Sequence, residues 1–247
     1  MNKKPYLIIL VIVLTILVVL PLFCVSMSAS VATTPKSNFC IVIDAGHGGI
    51  DSGAVGIATG NKESDINLDI SLRLGKHLER LGLKVVYTRK NSDGLYGTTE
   101  SGYKRRDMEA RRKTALQADA DLLVSIHLNK FSSPSRRGAQ VYHQLGDEQS
   151  IILASAIQDV LNRSVNIPQQ GRGFTPSKGD FWMCKILKPA VIVECGFLSN
   201  EKDDLLFDTI EYREQIAYLI FDGIVSYLTR ETTFTPLSDF IYDTSCR

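Results

Sequence analysis

This sequence is short of what marks a nucleic-acid binder, a disulfide scaffold or a repeat protein. Its formal net charge is only +1, from 28 Lys+Arg against 27 Asp+Glu. It therefore lacks the strongly basic face that phosphate binding demands. Five cysteines in 247 residues fall far below disulfide-scaffold density. No two of them stand at a C-x-x-C zinc spacing. No internal repeat is visible, which excludes a solenoid or propeller. What is present is apolar: hydrophobic residues make up 44%, enough to bury a core and to exclude disorder throughout.

The balanced charge hides a split. Residues 1–38 carry Lys3, Lys4 and Lys36 and no acid, leaving 25 basic and 27 acidic side chains in the remainder. An apolar run from Tyr6 to Val25, interrupted only by Thr15 and Pro21, follows the two first lysines. Its length lies between a signal-peptide core and a spanning helix. Ser30-Val31-Ala32 offers small residues for signal peptidase, so cleavage and retention as an anchor both stand open. Lys3 and Lys4 place the N-terminus inside, which puts the domain outside the cytoplasmic membrane, anchored or secreted. Residues 1–38 are thus expected to be leader and linker, 39–230 the working domain and 231–247 a tail.

Within the domain, FCIVID (39–44) reads as a buried strand running into a glycine-rich loop. A helix from about Ser64 carries Ile66, Ile70, Leu74, Leu78 and Leu81 as one apolar stripe. LKVVY (83–87), LLVSIH (122–127), residues 139–143 and AVIVEC (190–195) read as further strands. Helices are expected at 105–118, charged and exposed, and at 148–162, 201–207 and 211–228. Residues 164–180 read as a loop, rich in Gly, Pro and polar side chains. Cys40 and Cys195 read as buried thiols, with no essential disulfide. Strands alternating with helices imply an α/β fold, a largely parallel sheet covered on both faces.

Chemistry collects at the carboxyl ends of strands in such folds. Three strand ends here carry it. The first runs into Gly46-His47-Gly48-Gly49, the third ends in Ser125-Ile126-His127-Leu128-Asn129, and the last delivers Glu194. Glu63 stands just before the first helix. Two histidines and one carboxylate can hold a catalytic zinc with a fourth position left open. Glu194, beside the apolar run Ala190–Val193, would be costly to bury unpaired, and it is free to act as a base.

These residues lie in stretches that resemble the zinc-dependent N-acetylmuramoyl-L-alanine amidases of the type 3 amidase family. The matching stretches are IVIDAGHGGIDSGAVG (41–56), Glu63 with INLDISLRL after it, ADADLLVSIHLNKF (118–131) and PAVIVECGFLSN (189–200), in the family's order. The resemblance implies a three-layer αβα fold around a twisted sheet of about six strands. It implies one Zn2+ ion on His47, Glu63 and His127, with Glu194 as catalytic acid-base. The implied reaction cleaves the amide joining the lactyl group of N-acetylmuramic acid to L-Ala of the stem peptide. The short, membrane-associated form resembles the sporulation and germination branch, which acts on spore cortex peptidoglycan so that muramic lactam can form.

Other residues have weaker claims. Arg89, Asp93 and Arg111 match shared family positions, and arginine can fork onto the carboxylates of a stem peptide; Asn129 reads either as orienting the His127 loop or as bonding substrate. A structural ion pair is the competing reading for Arg89, Arg111 and Asp93. Phe181 and Trp182 read either as core or as the lining of a sugar groove, His77 as a boundary residue and His143 as structural. Expected partners are peptidoglycan strands with their stem peptides, the membrane if the leader is retained, and no nucleic acid. A partner protein for targeting or zinc retention is a further expectation, since no wall-binding domain accompanies the catalytic one. Two alternatives remain: a zinc peptidase acting on stem peptides, and a non-catalytic wall-binding or regulatory module.

Overall fold

The computed structural model describes residues 39–187 and 189–234. The expected leader, and the tail beyond residue 234, lie outside the described residues. Among the described residues no helix is long and apolar enough to cross a membrane.

Short apolar runs rich in Val and Ile pair into one six-stranded sheet of order β2-β1-β3-β6-β4-β5. The strands are β1 (Cys40–Ala45), β2 (Lys84–Tyr87), β3 (Leu122–Asn129), β4 (Gln140–Gln144), β5 (Ser177–Gly179) and β6 (Ala190–Phe197). Central strands β1, β3 and β6 are parallel neighbours, and β1 pairs in parallel with β2 as well. β4 runs antiparallel to β6. The connection from β3 to β4 contains no helix, so no crossover layer separates the two.

Helices cover both faces. Helix α1 (Glu63–Arg80) turns Ile66, Ile70, Leu74 and Leu78 onto the sheet, all essentially inaccessible to water. Burial of each such side chain contributes about 1.5–3 kcal/mol. Acidic Glu63 and Asp65 occupy its first turn, where the helix dipole favours negative charge. Helix α3 (Glu148–Leu161) and the long α5 (Ile210–Phe234) pack beside α1 on this face. Asp147 caps α3 by accepting from the Ser150 amide at 3.0 Å. Phe207, on the short helix α4 (Glu201–Asp208), joins the same core. Cys40, Val42, Leu123, Ala190 and Ile192 point to the other face, under helix α2 (Tyr103–Gln117) and the 3-10 turn Met183–Lys185. The result is the three-layer αβα architecture expected. Cys40, Cys184 and Cys195 are buried free thiols.

Three details correct the sequence reading. Helix α2 is not wholly exposed: Arg111 and Ala115 are buried against the sheet. Residues 164–170 are not a loop, because α3 continues through a π-helical segment, Asn162–Asn166, and a last turn, Ile167–Gln170. Side-chain amides hold that extension: Asn166 donates to the Ala139 carbonyl and accepts from the Ala139 amide, both at 2.8 Å. Pro168 is tolerated because it lies in the first turn of the last segment. Helix α5 also runs on to Phe234, past the end expected at residue 228.

Candidate active site

The site lies at the carboxyl ends of β1, β3 and β6, where a cleft of about 350 Å³ opens. Asp44 ends the apolar part of β1 and is almost completely buried. Its carboxylate accepts from Arg111 at 2.8 Å, Thr88 at 2.7 Å and Ser125 at 2.6 Å. Burial pushes the Asp44 carboxyl up, but Arg111 and the hydroxyl donors outweigh it and hold it below its usual range. This cluster is the floor of the site.

His47 follows in the loop after β1 with φ of 61°. A residue other than glycine rarely adopts that conformation, so the surroundings must hold it. They do. The Gly48 amide donates to the Asp51 carbonyl at 2.9 Å, and the Arg111 guanidinium donates to the His47 carbonyl.

His47 Nε2 lies 3.2 Å from Glu63 Oε1, and His127 Nδ1 lies 3.0 Å from the same oxygen. One potential ligand atom from each residue falls within 4.8 Å of the others. Glu63 is fixed from behind: its Oε2 accepts from the Ala54 amide at 2.7 Å, and Oε1 from the Leu128 amide at 3.1 Å and Asn67 at 3.2 Å. Burial pushes its carboxyl up, yet His127 and His47 drive it far below the usual carboxylate range. Burial pulls the His47 imidazole down, while Glu63 and Asp51 raise it overall.

Glycine makes room for the cluster. A Cβ on Gly46 would collide with the His127 ring, and one on Gly53, at φ +66°, would strike Glu63 and His47. The two imidazoles meet edge to face with centroids 5.1 Å apart.

Glu194 is the register partner of His127 across β3 and β6. It lines the same cleft, and its Oε2 is buried with no hydrogen-bond partner among the described residues. Burial raises its carboxyl to about 7, with Glu63 adding to the shift and the two histidines opposing it. An orphaned acid facing two imidazoles and a carboxylate fits a divalent cation with an open coordination position. The His₂Glu donor set is a catalytic zinc set. The cleft lining includes four aromatic side chains: Tyr96 and Tyr103, which meet edge to face, and Phe181 and Trp182.

The structure thus brings His47, Glu63, His127 and Glu194 together. It places Arg89 and Arg111 underneath them, as supports rather than substrate ligands. Arg89 is buried and donates to the carbonyls of Ala45, Gly46, Ser64 and Asn91 at 2.7–3.0 Å. Arg111 spends its donors on Asp107, Asp44 and the carbonyls of Ala45 and His47. Asn129 ends β3, half-buried, and its carbonyl accepts from the Leu198 amide at 3.0 Å. Asp93 is exposed and accepts from Asn91. His143 is buried in β4 with Nδ1 3.0 Å from the Gln144 carbonyl. His77 joins α1 to α5 through Glu214 at 2.7 Å. Sequence reading missed Asp51, Asn67 and the Tyr96–Tyr103 wall. Asp51 is four residues after His47 in a loop, and only its position in the glycine-rich stretch hinted at a role.

This fold and cleft define a class. The model of the Amidase_3 family, N-acetylmuramoyl-L-alanine amidase, matches residues 41–226, and the chain belongs to that family. It is therefore an enzyme of the amide-hydrolase kind. Among its relatives is the germination-specific N-acetylmuramoyl-L-alanine amidase of Bacillus subtilis, 34% identical over 200 residues, covering 80% of this chain and 83% of that protein. The amidase LytC of the same species is 35% identical over 190 residues, which is 76% of this chain but 35% of that larger protein. Among solved structures, the CwlD amidase of Clostridioides difficile, in complex with the GerS lipoprotein, superposes with a TM-score of 0.71. It is 36% identical and covers 78% of this chain and 100% of its own.

Proposed function

We propose that this chain hydrolyses the amide between the lactyl group of N-acetylmuramic acid and L-Ala of the peptidoglycan stem. One zinc ion would be held by His47, Glu63 and His127. The observation that carries the proposal is the orphaned Glu194 carboxyl set beside that donor cluster. Zinc bound there supplies Lewis-acid chemistry that makes water a nucleophile near neutral pH.

Glu194 does the proton work. As carboxylate it takes a proton from water, whose oxygen adds to the amide carbon. When the C–N bond breaks, it returns that proton to the alanine nitrogen. In the metal-free site burial raises this carboxyl to about 7, and a cation beside it would favour the carboxylate that takes the proton. Gly46 and Gly53 keep the reacting space free of side chains. Asn129, at the end of β3, is proposed to contact substrate.

The substrate context is proposed as spore cortex peptidoglycan, supported by the germination-specific relative. Export with residues 1–38 as signal or anchor, a catalytic domain over 39–230 and a partner protein complete the proposal. The CwlD amidase was solved with a lipoprotein, which supports a partner here.

The test is digestion of purified peptidoglycan by the 247-residue chain loaded with zinc, read by mass spectrometry. Release of stem peptides with free N-terminal L-Ala is expected. Shortened stems still attached to glycan would establish the peptidase alternative instead, and no cleavage at all would favour a non-catalytic module. Zinc content and activity of the chain alone, against the chain with candidate partners, test the need for a partner.

A further inference from the structure

The three donors are not braced alike. Glu63 is held by two backbone amides and Asn67. The His127 ring rests on Gly46 and projects from a central strand. His47 has neither support. It sits in a loop, in a left-handed conformation, with a quarter of its side chain open to solvent.

Besides Glu63 and the edge of the His127 ring, one contact holds its far nitrogen. Asp51 Oδ2 stands 3.1 Å from His47 Nδ1, on the side of the imidazole away from Glu63. If Nδ1 donates its proton to this carboxylate, Nε2 is left with its lone pair beside Glu63 Oε1. That is the tautomer a metal requires. Carboxylates that hold the far nitrogen of a ligating histidine raise its basicity and set its orientation. Among the described residues no acid plays this part for His127, whose ion pair runs to Glu63 alone.

Asp51 is itself lightly committed elsewhere. Its Oδ1 accepts from the Gly53 amide at a long 3.4 Å and lies 3.8 Å from a well-exposed Lys104. Its own backbone makes the bridge to Gly48, so that bridge does not depend on its carboxylate.

We infer that Asp51 is a positioning residue for the metal site: its carboxylate selects the His47 tautomer and so sets the affinity of the site for zinc. This rests on the proposal that His47, Glu63 and His127 hold the ion.

The experiment is zinc competition against a chromophoric chelator, with the 247-residue chain and its Asp51→Ala and Asp51→Asn variants. Melting curves of each in the metal-free state accompany it. Asp51→Ala should bind zinc about 10–100-fold more weakly while its metal-free melting temperature falls by no more than the few degrees, about 2–4 °C, that losing a part-exposed ion pair accounts for. Asp51→Asn keeps an acceptor for Nδ1–H without the charge and should recover part of the loss. Equal zinc affinity in wild type and Asp51→Ala would overturn the inference and leave the metal site standing. A metal-free melting temperature that falls in step with affinity would reassign Asp51 to loop structure. Absence of zinc binding in the wild type would remove the metal site and this inference together.

Discussion

His127 and Glu194 are register partners on adjacent parallel strands. Partners in a parallel ladder project to the same side of the sheet, so this pairing sets the proposed acid-base group beside the proposed metal donors whatever the loops do. It also separates the two functions chemically, because Glu194 is not one of the three clustered donors. Glu194→Gln should therefore keep one equivalent of zinc and lose about 10²–10⁴-fold in turnover. Metal analysis and stem-peptide release, measured on the same sample, check both halves. Loss of zinc together with activity would make Glu194 a ligand.

The raised carboxyl of Glu194 carries a stability signature. Folded, it titrates near 7, against 4.5 for the ordinary group. Between those values the native protein binds more protons than the unfolded chain, so metal-free stability falls as pH rises through that window. Glu194→Gln removes the penalty. Its gain over wild type should be absent below pH 4.5 and grow to a plateau above pH 7, up to about 3 kcal/mol by the one-unit conversion. Denaturant melts of chelated protein at several pH values read this, and a gain of constant size across pH would contradict it.

Arg111 and Asp44 form an ion pair out of reach of water. Removing one member leaves the other charged and buried, at a cost of about 3–5 kcal/mol. Arg111→Met should lower the melting temperature sharply. A residue that merely gripped substrate would raise KM and leave the melting temperature alone, so the two readouts decide between the roles.

Trp182 is exposed and lines the cleft, as do Tyr96 and Tyr103. A flat, solvent-accessible ring beside an amide site suits a sugar face. Trp182→Ala should raise KM on glycan-linked substrate with kcat nearly unchanged. Assays comparing polymeric peptidoglycan with a minimal muramoyl-peptide would show the effect on the larger substrate first.

Much of this frame is legible in the chain because its determinants are local. The α1 stripe of Ile66, Ile70, Leu74 and Leu78 is a periodicity, and the buried strands are runs of Val and Ile. The four residues of the proposed centre stand at strand ends or a helix start, where an α/β sheet collects its chemistry. Contacts between distant residues escaped. The burial of Arg111 depends on Asp44, 67 positions earlier. The helical extension through Asn166 depends on Ala139, 27 positions earlier, although its Asn, Pro and Gln content reads as loop. Tyr96 showed nothing in sequence, since its hydroxyl's partner is the amide of Ile50.

The placement of the donors has a consequence for timing. Glu63 and His127 stand 64 residues apart, and they meet where α1 packs on the sheet that contains β1 and β3. No short peptide from this chain carries the set. The unfolded state therefore offers the proposed zinc no comparable site, and binding the ion would favour the finished frame. A chain still being made is a silent hydrolase, armed only when the central strands have closed.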